Sequence, residues 1–111
     1  MQLAREIYFA TEEFPKSETF GLRMQLRRSA VSVACNIAEG HGRLTDAQLR
    51  NSLGYARGSL YELETQLELA REMRFIQEDA EQRLLDLGIE VAKLMNGLLG
   101  VLEREVRHEA R

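Results

Sequence analysis

Proline occurs once in 111 residues, at Pro15, tryptophan is absent, and the only cysteine is Cys35. With one proline there is little to interrupt long helices, and the bias toward Leu, Ala, Glu and Arg leaves few stretches suited to strands, so no sheet is expected. A lone cysteine excludes an intramolecular disulfide. Set in an apolar helical stretch, Cys35 is expected to be a small buried core residue, which fits a reducing compartment. Long apolar runs are also missing: none approaches the roughly 18 residues that would span a bilayer. Met1 to Ala10 mixes acidic and basic residues among its apolar ones, unlike a targeting segment. The expectation is a cytoplasmic protein without membrane contact. Histidine is limited to His41 and His108, which leaves little material for a metal cage or a catalytic base.

The length suits one domain, residues 1–111, and one core. A net charge of -3 points to no particular partner, but the charge is unevenly spread. Between Arg23 and Arg57 six arginines (Arg23, Arg27, Arg28, Arg43, Arg50 and Arg57) face only Glu39 and Asp46, an excess of four positive charges. Thirteen of the fifteen basic residues are arginine, which fits either planar bidentate contacts or a GC-rich genome.

Apolar spacing predicts four helices. Leu3, Ile7, Ala10 and Phe14 line one side of a first helix ending near Glu13. Ser17 is placed to cap a second helix over Glu18 to Glu39. The apolar residues of that helix, Phe20, Leu22, Met24, Leu26, Ala30, Val31, Val33, Ala34, Ile37 and Ala38, leave only a narrow polar stripe of Gln25, Ser29, Ser32, Asn36 and Glu39. One small bundle can rarely cover so much apolar circumference, so self-association is expected. Gly40 and Gly42 are expected to end the helix through a left-handed residue. Thr45 to Gln48 has the form of a capping box for the third helix, where Leu49, Leu53, Ala56, Leu60, Leu63, Leu67 and Ala70 keep a heptad rhythm. The fourth carries two seams: Ala80, Leu84, Leu87, Val91, Leu94, Leu98 and Val101, and beside it Leu85, Ala92, Met95, Leu99, Leu102 and Val106. Short connections predict an all-α, antiparallel up-down-up-down four-helix bundle, frayed from about Arg107.

No catalytic constellation is assembled. Glu105 and His108 have the Glu-x-x-His spacing of di-iron bundles, but the motif occurs once, and His41 sits between two glycines, so no metal or other cofactor is expected. Gly40-His41-Gly42 follows a helix C-terminus, where the dipole disfavours anions, and reads as a helix stop. Ser32, Asn36 and Glu39 must find partners if buried, with Ser59, Tyr61 or Glu62 available on the third helix; the group reads as a structural network holding register, with a ligand site as the alternative. Arg43, Arg50 and Arg57 recur every seven residues, a repeat suited to phosphate contacts, although Glu64 follows in the same register, as on a solvated face.

Phe14-Pro15, Phe20-Gly21-Leu22, the run Gln25 to Val33, Asn36-Ile37-Ala38-Glu39-Gly40, Gly42-Arg43, Gly58-Ser59-Leu60 and the run Glu62 to Leu67 come in an order that covers most of the chain. In this set the chain closely resembles the bacterial four-helix bundle proteins encoded in intervening sequences of large-subunit ribosomal RNA genes. The resemblance implies a ring, typically a homopentamer, without enzymatic activity. It also implies a looser relation to the accessory variability protein of diversity-generating retroelements, which partners a reverse transcriptase and RNA through basic surface. Two departures stand out. Ala34-Cys35 replaces Pro-Ser, removing a kink from the second helix, and Met73-Arg74-Phe75-Ile76 replaces Leu-Gly-Tyr-Ile, removing a glycine suited to a left-handed cap. The reading is a non-enzymatic scaffold binding RNA or a ribonucleoprotein through the six arginines. The alternative is a purely protein-binding oligomeric module.

Overall fold

The computed structural model describes residues 1–42 and 45–109, with side chains as far as Val101. Among these residues there are four α-helices and no strand: α1 (Gln2–Thr11), α2 (Leu22–His41), α3 (Asp46–Glu72) and α4 (Glu78–Glu109). They alternate in direction as an up-down-up-down four-helix bundle. The α2–α3 interface is the most extensive, α4 packs on α3, and α1 lies against both α2 and α4, while the diagonal pairs stay apart. The result is a rod of 56 × 23 × 18 Å. No helix among the described residues is long and apolar enough to cross a membrane.

The helix ends differ from those expected. α1 stops at Thr11 rather than Glu13, because the Thr11 hydroxyl turns back onto the Ile7 carbonyl at 2.8 Å and the Glu12 amide bonds to Phe9. α2 starts at Leu22 rather than Glu18. Pro15 is extended, at φ -54° and ψ 145°, and feeds a 3-10 turn over Lys16–Glu18. The first amide of α2, on Leu22, is then capped by the Glu18 carboxylate at 3.2 Å and not by Ser17. Nor does α2 end through a left-handed glycine: it runs on through His41, and Gly42 closes it at φ -88°. Gly40 serves packing instead, since a Cβ there would meet Leu49 Cδ1 at 2.8 Å.

The capping box at α3 forms as expected, with Thr45 Oγ1 accepting the Gln48 amide at 3.1 Å. All seven heptad residues from Leu49 to Ala70 are buried. They pack against Leu3 and Ile7 of α1, Leu26, Ala30 and Val33 of α2, Leu84 and Met95 of α4, and the loop residue Phe14. α3 ends in a Schellman motif, with Phe75 N–H bonding to Ala70 and Arg74 N–H to Arg71. Arg74 takes the left-handed conformation, φ 64°, in the place where the family's glycine was missed.

Two placements are corrected. Cys35 is exposed: it lies two residues, about 200° of helix turn, beyond buried Val33, which carries it to the opposite side of α2. On α4, Leu94 and Val101 are 57% and 43% exposed. α1 is the reason. Its Glu6 pairs with Arg83 at 3.5 Å, so α1, running antiparallel to α4, starts at about the level of Gly88, ends beside the first turn of α4 and does not reach Leu94. Leu102 and Val106 of the second seam, and the end from Arg107, fall outside the described side chains.

Candidate functional site

The six central arginines separate into three groups. Arg27 is a clamp on α1: its Nε donates to Thr11 Oγ1 at 2.9 Å, and its Nη2 donates to the Tyr8 carbonyl at 3.2 Å and to Glu12 at 3.0 Å. Its guanidinium carbon also sits 4.5 Å from the Tyr8 ring centroid, a cation–π distance. Arg23 joins from one turn earlier, 3.6 Å from the same Glu12, while its buried Nε has no acceptor among the described residues. These two cations are largely used in holding α1 to α2.

Arg28 points outward from α2 and is exposed. It lies on the rim of a groove of about 630 Å3 with a floor from Tyr8, Met24 and Val31. Arg50 and Arg57 are also exposed and make no ion pair among the described residues. They stand elsewhere: Arg50, Arg57, Glu64 and Arg71 form one heptad line along α3, and Arg71 pairs with Glu81 of α4 at 2.8 Å. That line therefore runs along the α4 side of α3, whereas Ser59, about 200° of helix turn from Arg57, faces α2. Arg43 lies outside the described residues.

The polar stripe of α2 meets α3 at one point. Ser32 Oγ and Ser59 Oγ are 2.8 Å apart, and Asn36 Nδ2 donates to the Ser32 carbonyl at 2.9 Å and to Ser32 Oγ at 3.2 Å. Hydroxyls and an amide that satisfy one another between packed helices fix their register. Glu39, Glu62 and Tyr61 are exposed, and neither carboxylate makes a hydrogen bond among the described residues. Beside the bridge a polar groove of about 450 Å3 opens between Arg28, Ser29, Glu62 and Gln66, with Gln66 Oε1 buried and without a donor among the described residues.

Other features were not visible in the sequence. The Thr11–Arg27–Glu12 clamp joins residues 15 and 16 apart in sequence, through long side chains whose reach no local pattern encodes. An acidic groove of about 410 Å3 on the α3–α4 side gathers Glu64, Glu68 and Glu81 around Arg71; a heptad count starting from Arg57 would have found Glu64 and Arg71, but not their meeting with α4. Among the described residues no three His, Cys, Asp or Glu side chains gather as a metal cage requires. The side chains of Glu105 and His108 lie outside those described, and His41 is exposed. What the surface offers is apolar contact area with cationic and acidic patches beside it.

Residues 1–97 match the model of a family described as 23S rRNA-intervening sequence protein. The fold is also similar to a crystal structure, at 1.70 Å, of a protein with unknown function from the S23 ribosomal protein family of Bacteroides thetaiotaomicron VPI-5482. The TM-score is 0.77 at 24% identity, over 87% of this chain and 91% of that one. No curated protein sequence matches.

Proposed function

Because the chain belongs to the 23S rRNA-intervening sequence protein family, we propose that it is a non-enzymatic cytoplasmic scaffold. Copies of the bundle assemble into a ring, five by the family resemblance, and the ring contacts RNA or a ribonucleoprotein such as a reverse transcriptase complex. No cofactor takes part. The observation that carries this reading is the outer side of α2, where an apolar floor and arginine rim lie open to solvent. No element of the bundle covers this groove among the described residues, and apolar surface rimmed by charge is typical of contact sites. RNA contact falls to Arg50 and Arg57, exposed central arginines that make no ion pair among the described residues.

Titration of a structured RNA at low and moderate salt tests the RNA part. Binding is expected to weaken as salt rises, and Arg50→Ala and Arg57→Ala should each reduce the logarithmic salt slope by about 1. Absent or salt-independent binding would leave the second reading, a purely protein-binding oligomeric module. That reading has its own support: Arg23 and Arg27 are engaged with Glu12, so the free positive charge is smaller than the sequence suggests.

A further inference from the structure

We propose that the groove on the outer side of α2 receives the α3–α4 side of a second copy of the chain, a head-to-tail contact between two different faces. This rests on the self-assembly reading and specifies its geometry. The two faces are complementary in charge. Around the α2 groove Arg23, Arg27 and Arg28 meet the single carboxylate of Glu12, an excess of two positive charges. Around the α3–α4 groove Glu64, Glu68 and Glu81 meet the single cation of Arg71, an excess of two negative charges.

The faces also lie at the same height on the rod. The Ser32–Ser59 hydrogen bond sets the register of the antiparallel α2–α3 pair, which puts Arg28 level with Leu63 and Arg23 level with Glu68. One copy can therefore be placed beside the next with little sliding along the axis. Apolar surface is matched too: the α2 groove has an apolar floor, and the acidic groove includes Leu85, with Ile89 one turn further along α4 and 48% exposed. Opposite potentials steer two surfaces together and fix their register, while the apolar parts supply the burial. A contact between two different faces leaves the acidic face of one copy and the groove of the other still open. It propagates to a closed ring or an open chain, whereas a two-fold contact stops at two copies.

Light scattering on charge-reversed chains tests this. Arg28→Glu spoils only the groove, and the double variant Glu64→Lys, Glu68→Lys spoils only the acidic face; each alone should fall to the monomer mass. Mixed in equal amounts they should give twice the monomer mass and nothing larger, since one intact groove then meets one intact acidic face. The mixing result also guards against misfolding, because an unfolded variant captures no partner. If the wild-type chain is monomeric, the self-assembly reading itself fails. If the wild-type chain assembles and the glutamate variant keeps its full mass, the reading survives and the head-to-tail contact is wrong; pairing of groove with groove would give that result.

Discussion

The two ends that flank α3 in sequence use glycine in opposite ways. At the close of α2, Gly40 and Gly42 both have ordinary negative φ, and Gly40 lets α3 come close, since a Cβ there would push the Leu49 side chain aside. At the close of α3 there is no glycine, yet the backbone turns through a left-handed residue, which is Arg74. A glycine after a helix is therefore not proof of a left-handed cap, nor is its absence proof against one. The Schellman hydrogen bonds and the packing of Phe75 on Phe14, with ring centroids 5.5 Å apart, are enough to hold an arginine there.

Substitution can break this contrast. The largest effect is expected at Gly40→Leu, where a side chain forced against Leu49 should lower stability by about 2 kcal/mol, read as a fall in the urea midpoint. Arg74→Gly is expected to act in the other direction. Relieving a left-handed non-glycine residue should raise stability by about 1 kcal/mol, and a loss would mean that the arginine side chain makes a contact worth more than the strain. The smallest change is expected at Gly42→Ala, within about 0.5 kcal/mol, because φ -88° suits alanine. A loss well above that would show that Gly42 is left-handed in solution.

These turns also mark how far the sequence could be read. The inner seam of α3 was legible residue by residue, since a helix surrounded by partners buries what its heptad names. On α4 the same rule placed Leu84 and Met95 correctly and failed at Leu94, because burial there depends on how far α1 reaches. In the candidate site, Ser32 and Asn36 could be named from polar residues on an otherwise apolar helix, and Ser59 as one of the partners open to them on the third. The six arginines could not be sorted: Arg27 looks no different from Arg28 in sequence, and only the fold puts Thr11 and Glu12 within reach of one and not the other.

The arginine clamp also sets an order of opening. A ten-residue helix is marginal in water by itself, so α1 persists only while Arg27 and a few buried side chains hold it down. When that grip lapses, α1 unravels instead of swinging away as a rigid arm. Its amide hydrogens should be the first of the bundle to exchange with solvent, ahead of the buried α3. Each such excursion strips α2 and α4 together of the cover that α1 gives them.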